Sequence, residues 1–415
     1  MLRTIRMVAL CAALLILPPA LAPDSLSAQN FGQDPAAELN QALGALRPEE
    51  GRKYRVDIIT MSPLEAIYGI WGHTSLRIHN AELGGDYIFD WGVFDFDDTF
   101  LFRFLKGEPA YLLAARPLRA MLNYYGRIDR VVYTQQLMLT DEQAARLFAL
   151  VAHDVNQTYI YHHYNNNCVT KIRDIVDVLD RGQLKAWGQR PAEKTFRDTS
   201  NEYAGNIWHW IGINLIQGTT VDQPVNVYEE MYLPIAFMDR LEEYRAERLE
   251  KGETSVVGPK IQIMRGAPPA EPSGWITVPL ITGVLIGLLF ALPAARPDHG
   301  FAARIGRIAR NAWHIIAGFV GIVLAIFWLF TGHDSMINNI NLLAFAPILL
   351  CVPIVARIYR GRRETMEKVY LALVGLPVLG LVLMITTLWP QPALAFLLPA
   401  AVVQGLIWFG YKRGV

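Results

Sequence analysis

The sequence predicts a protein in two parts: an exported α+β domain, a small antiparallel sheet plus helices, followed by an all-α region of five transmembrane helices. Three observations lead there. Of 415 residues, 52% are hydrophobic and only 18% charged, and the mean hydropathy is +0.22, too apolar for one soluble globule. The apolar excess gathers after residue 275. The N-terminus has the grammar of a secretory signal.

That signal begins with Arg3 and Arg6, runs through an apolar stretch from Met7 to Ala22, and reaches small residues at Ser27-Ala28. Residues 1–28 are therefore expected to be a signal peptide cut after Ala28. A cut after Ala22 would leave Pro23 first, a poor start, and an uncleaved anchor is the alternative. Residues 29–50 are polar and contain Gln and Pro, and residues 246–274 mix charge with Gly and Pro, so both read as linkers around a folded unit at 50–245. The exported part, 29–274, holds 33 acidic and 25 basic residues, a net charge near −8. Such a domain is unsuited to nucleic acid or to electrostatic adhesion on anionic headgroups.

Strand character marks Tyr54 to Thr60, Thr74 to His79, Tyr87 to Trp91 and Arg130 to Leu139, where β-branched and aromatic residues are bounded by Gly, Asn or Asp. Helices follow. Thr140-Asp141-Glu142 can start one that runs to about Val155, and a second begins near Cys168, with Val169, Ile172, Val176 and Leu179 on one face. Strands followed by helices make an α+β domain.

Five apolar runs then follow: 275–295, 313–330, 339–356, 369–388 and 393–410. None contains Asp, Glu, Lys or Arg, and each is long enough to cross a hydrocarbon core as a helix. Every Lys and Arg beyond 275 lies at Arg296 to Arg310, Arg357 to Lys368 or Lys412-Arg413, the alternate ends of these spans. The positive-inside rule then places the 411–415 tail in the cytoplasm and residues 29–274 outside.

Cysteines are few: Cys11, Cys168 and Cys351 occupy different kinds of segment and suggest no bridge. Cys168 is alone in the exported domain and stands at the expected start of a helix, where free N–H groups and the positive dipole end stabilise a thiolate. Those N–H groups could also hold an oxyanion. A buried, inert thiol is the bland alternative. A thiol nucleophile needs a base, and His73, in Trp71-Gly72-His73-Thr74-Ser75, has a rigid strand behind it. His162, His163, His79 and His153 are less persuasive, lying in a Tyr/His/Asn-rich loop or near element ends. Asp90, from the next strand, is the choice to orient His73, with Asp86 behind it. Asn167, Arg77 and Trp71 are the candidates for substrate or oxyanion contacts. A zinc site built from His73, His162 or His163 with Cys168 would have no standard ligand spacing, and no cofactor is implied. Aromatic density from Trp91 to Phe104 reads as core packing or as a lipid-facing mouth.

Trp71-Gly72-His73-Thr74-Ser75-Leu76-Arg77, Asp90-Trp91-Gly92-Val93-Phe94 with Arg103-Phe104-Leu105-Lys106-Gly107, and Asn167-Cys168-Val169-Thr170-Lys171-Ile172-Arg173-Asp174 resemble the Lnb N-terminal periplasmic domain family, long catalogued as a domain of unknown function. The resemblance covers about residues 50–245, and members carry C-terminal spans. Two positions depart from the family pattern, Lys171 where it has Arg and Asn166 where Asp is commoner. The resemblance implies a lipoprotein N-acyltransferase whose acyl donor is a phospholipid and whose acceptor is the α-amine of a lipoprotein's lipidated N-terminal cysteine. It also implies a permuted papain-like or NlpC-like fold, with His before Cys in the chain. A papain-like cysteine hydrolase of the envelope, a peptidase or amidase, and a non-enzymatic membrane scaffold are the competing readings.

Overall fold

A computed structural model describes residues 35–64, 69–94, 97–128, 130–204, 206–266, 277–294, 300–386 and 391–413. The expected signal peptide lies outside the described residues. In chain order the main elements are α1 (Pro35–Ala45), β1 (Tyr54–Met61), β2 (His73–Asn80), β3 (Gly85–Val93), α2 (Phe100–Lys106), β4 (Ala110–Pro117), α3 (Leu118–Arg127), β5 (Val132–Leu137), α4 (Asp141–Asp154), β6 (Thr158–Ile160), α5 (Cys168–Leu179), β7 (Pro191–Thr195), α6 (Ile207–Ile216), β8 (Pro224–Asn226), α7 (Pro234–Glu250), β9 (Ile261–Met264), α8 (Thr277–Ala294), α9 (Gly300–Phe330), α10 (Arg363–Thr386) and α11 (Leu394–Arg413). Two compact units result, one from residues 23–205 and 224–272, the other containing 206–223 and 273–415.

The first unit is α+β. Its sheet has seven strands in the order β6-β4-β3-β2-β1-β5-β9, every neighbouring pair antiparallel. Side chains alternate between two covered faces, so apolar residues appear at both parities of β1. Val56 and Ile58 meet Leu76, Ile78 and Phe89 under α4, α5 and α7, which contribute Leu147, Ile172 and Phe237. Ile59 and Met61 face the other way, with Ile88 and Val132, under α1 and α3.

Two expected linkers are structural instead. Residues 29–50 contain α1, whose Leu39 and Ala42, spaced three apart, join Leu46 in the second core. Residues 246–274 contain the end of α7 and strand β9, which pairs with β5 and adds Ile263 and Met264 to that core. The polar surroundings of these short elements hid their few inward residues.

Among the described residues of the second unit, four segments are long and apolar enough to cross a membrane, where five were expected: Ala303–Phe330, Ile340–Ile358, Arg363–Thr386 and Leu394–Lys412. The first expected span, 275–295, forms helix α8, whose described apolar part is Leu280–Leu289. The expected helix 339–356 is broken into turns at Ile340–Leu343 and Pro347–Cys351 before a short helix, Val352–Ile358. Irregular backbone at membrane depth must be sheltered by protein. Gly321 of α9 provides that shelter: a Cβ there would stand 1.6 Å from the carbonyl oxygen of Phe345, so only glycine lets the two backbones meet.

Helix α6 belongs to this unit, although the sequence reading placed it inside the exported fold. Its N-terminus is capped by Asn206, whose Oδ1 accepts from the N–H groups of Trp208 and His209. The carbonyls of its last turn need donors from outside the helix. Asn341 Nδ2 donates to Asn214 O at 2.9 Å, and Asn339 Nδ2 donates to Leu215 O at 2.8 Å and Ile216 O at 3.0 Å. Just beyond, the Gly218 N–H donates to Ser335 O and the Thr220 hydroxyl to Asp334 O.

Candidate active site

Cys168 is the first residue of α5. Asn167 caps that helix in two directions: its Oδ1 accepts from the N–H groups of Val169 and Thr170 at 2.8 and 2.9 Å, and its Nδ2 donates to the carbonyls of His163 and Tyr232 at 2.6 and 3.0 Å. The Thr170 hydroxyl completes a capping box by accepting from the Asn167 N–H at 2.8 Å. The thiol is thereby held beside a helix N-terminus.

His73 opens β2. Before it, Gly72 has φ +83°, and a Cβ there would lie 2.8 Å from Met61 O and 3.3 Å from Pro234, so the chain can turn into the strand only with glycine. The imidazole bonds the Cys168 sulfur on one side and Asp90 Oδ1 on the other, Nε2 to Oδ1 at 3.1 Å. Asp90 lies in the next strand on the same face, and the hydroxyl of Ser75 donates to the same carboxylate oxygen. Beyond Asp90 the register of β3 shifts between Trp91 and Val93, and the bulge turns Gly92 towards Cys168, so that a Cβ added there would lie 3.9 Å from the Cys168 Cβ. Thus the strand ends and the helix start converge.

Electrostatics follow from this placement. Burial raises the Cys168 thiol pKa, but the imidazolium of His73 and the N–H of Thr74 outweigh it, and the thiol titrates below its ordinary value. Burial likewise opposes protonation of His73, yet the Cys168 and Asp90 negative charges and their hydrogen bonds lift it to about 10. Asp90 is held below the usual carboxylate range by its bonds to His73 and Ser75, against the pull of burial. Each charge of the pair thus stabilises the other, which favours the thiolate and imidazolium forms.

Residues 52–201 match the Lnb N-terminal periplasmic domain and residues 279–409 match the Lnb transmembrane domain. The chain belongs to the Lnb family. No match was found among curated proteins or among solved structures.

Within this Lnb domain the remaining candidate residues separate. Trp71 lies near the pair; its ring packs on His163 at 4.5 Å between centroids, and its buried Nε1 has no partner among the described residues. Arg77 does not reach the pair. It is buried and donates to Asp57 and Asp86 and to the carbonyl of Leu46, so its position is structural rather than substrate-facing. Asp86 is taken by Arg77, and His79 stands 3.9 Å from Asp86. His162 accepts the N–H groups of Tyr164 and Asn165 and shapes the loop, while His153 is exposed at the end of α4. Among the described residues there is no group of three or more His, Cys, Asp or Glu placed to hold a metal ion.

Sequence reasoning missed Ser75 and Thr74. The period of two in β2 contained the signal for Ser75, which shares a face with His73.

Proposed function

We propose that this chain is a lipoprotein N-acyltransferase working through a thioester on Cys168. The observation that carries the reading is the Cys168, His73, Asp90 chain of hydrogen bonds at the capped start of α5. The thiolate attacks the ester carbonyl of a phospholipid, a C–S bond forms, and the C–O bond breaks. His73 gives its proton to the leaving alkoxide, releasing a lysophospholipid. The lipoprotein's α-amine then attacks the thioester, a C–N bond forms, the thiolate leaves, and neutral His73 takes the amine proton. Asp90 keeps the imidazole oriented and stabilises its charged form. N–H groups at the start of α5 are suited to the oxyanion of each addition.

Order in the chain supports a permuted papain-like arrangement, since His73 from a strand precedes Cys168 at a helix start. Residues 206–223, flanked on both sides by exported sequence, bond to Asp334–Asn341, which supports an exported location for that loop. With the Lys/Arg placement, this supports a cytoplasmic C-terminus. Anchoring enzyme, donor and acceptor in one membrane raises their effective concentrations.

The test is intact-lipopeptide mass spectrometry of a reporter lipoprotein from cells lacking other N-acylating enzymes. An added acyl chain with the unaltered chain, and none with Cys168→Ala, is the expected result. Release of free fatty acid without N-acylation would instead point to a thiol hydrolase.

A further inference from the structure

Five aromatic rings connect the surface of the α+β unit to the neighbourhood of Cys168. Tyr161 stacks on Tyr111 at 4.3 Å between centroids, Tyr111 meets Phe94 at 4.9 Å, Phe94 stacks on Phe100 at 5.1 Å, and Phe100 stacks on Phe104 at 6.3 Å. All five are half-buried. A core aromatic of this domain, Phe89, is 2% exposed, so a row of half-covered rings is apolar surface of a different kind.

Both ends of the row have distinct chemistry. At the inner end, Phe94 follows the bulge that turns Gly92 towards Cys168, and Tyr161 begins the loop closed by the His162–Asn166 bridge, directly ahead of Asn167-Cys168. At the outer end, helix α2 presents Phe102, 65% exposed, beside the exposed Arg103 and Lys106. An apolar path with Arg103 and the Glu108-paired Lys106 at its mouth offers a local cationic spot, on an otherwise acidic domain, to an amphiphile with an anionic head. Because Phe100 also meets Tyr111 at 6.4 Å, the row reaches at most about 17 Å from end to end, comparable to the roughly 15 Å that acyl chains occupy in one leaflet.

We propose that the row Phe104, Phe100, Phe94, Tyr111 and Tyr161 is the track for the donor's acyl chain, with Arg103 and Lys106 receiving the phosphate of its headgroup. The inference rests on the thioester reading above and names the part of the domain that selects the chain. Aromatic faces give a methylene chain contact without demanding hydrogen bonds, and each methylene moved from water onto them is worth about fourfold in binding. The ester carbonyl at the head of the chain would lie at Cys168.

The experiment uses the full chain in detergent, with butyryl and dodecanoyl p-nitrophenyl esters as donors, and reads first-turnover nitrophenolate release together with the mass of acylated Cys168. The unaltered protein should prefer the dodecanoyl ester. Phe100→Ala and Phe104→Ala should lower the dodecanoyl-to-butyryl rate ratio by about tenfold or more, the loss of two or three methylene contacts. An unchanged ratio, with Cys168 still acylated by both esters, overturns the track and leaves the thioester mechanism standing. If neither ester acylates Cys168 in the unaltered protein, the mechanism itself fails. A second measurement needs no substitution: a phosphatidylglycerol with a diazirine at the end of one acyl chain is photolysed with the full chain. Crosslinks within residues 94–111 are expected, and crosslinks confined to other parts of the α+β domain would refute the proposal.

Discussion

Asn167 joins stability and chemistry in one side chain, and two substitutions separate them. Asn167→Ala removes the helix cap, worth about 1 kcal/mol. It also strips a donor from the carbonyls of His163 and Tyr232, each worth about 1 kcal/mol because a carbonyl with its usual partner gone is left in a buried site. The expected loss is about 3 kcal/mol, enough to lower the melting temperature without unfolding a domain of ordinary stability. Asn167→Asp keeps both accepting bonds from Val169 and Thr170 but puts a buried negative charge beside the thiolate. At a separation of about 6 Å and an effective dielectric near 20, that charge opposes the thiolate by about 3 kcal/mol. The pH of half-maximal labelling should rise by about two pH units. The assay is the pH dependence of iodoacetamide labelling, read by peptide mass at Cys168 because Cys351 is also a free thiol. If Asn167→Asp labelled with the unaltered protein's profile, the coupling of cap and thiolate would be wrong.

Other consequences follow from single contacts. Cys168 should label rapidly below the ordinary thiol range and acylation should persist up to about pH 10, where His73 gives up its proton; His73→Ala should return labelling to that of an unassisted thiol. Burial, and secondarily His162, depresses His163 to about 3, below its unfolded value of 6.5. Its stability contribution is therefore complete above pH 6.5 and lost as pH falls from there towards 3, and a thermal-melt series in detergent should show His163→Phe flattening that decline. Replacing Asn339 and Asn341 together by Ala removes four bonds to the end of α6, at a cost of about 2 to 4 kcal/mol in thermal unfolding. Gly321→Leu should abolish accumulation of folded protein in membranes, because its Cβ would overlap Phe345 O; normal yield would refute the close approach.

What was legible in the sequence depended on range. Cys168 was readable because it lies at a helix start, where chemistry and local conformation make the same demand, whereas Asn167, expected to contact substrate or oxyanion, spends its side chain on capping that helix and on the carbonyls of His163 and Tyr232. His73 and Asp90 were readable because adjacent antiparallel strands of period two bring such residues to one face. Strand β4 was missed because Ala110–Pro117 is Ala- and Leu-rich with no β-branched residue, and β9 because four residues between polar segments have little pattern to read. The break in the Ile340–Ile358 span escaped because apolarity reports the environment and not the backbone path.

Arg77 shows the limit most clearly. It follows His73 by four residues on the same face, which places it near the base in sequence but about 13 Å along a strand rising roughly 3.3 Å per residue. At that distance its environment is set by residues from the two flanking strands, Asp57 directly opposite it on β1 and Asp86 on β3. A buried guanidinium surrounded by carboxylates is strongly destabilising to disturb and contributes little net stability beyond a well-packed apolar substitute. Arg77→Met should therefore deprive Asp86 of its guanidinium and leave Asp57 with Arg55 and Thr134 alone, and should cost more than replacing Arg77 with Asp57 and Asp86 together by apolar residues of similar volume. Acylation of Cys168 by a short ester, scaled to the folded fraction, separates the two roles: a structural Arg77 leaves that scaled rate intact, and a drop beyond the loss of folded protein would return Arg77 to the substrate site.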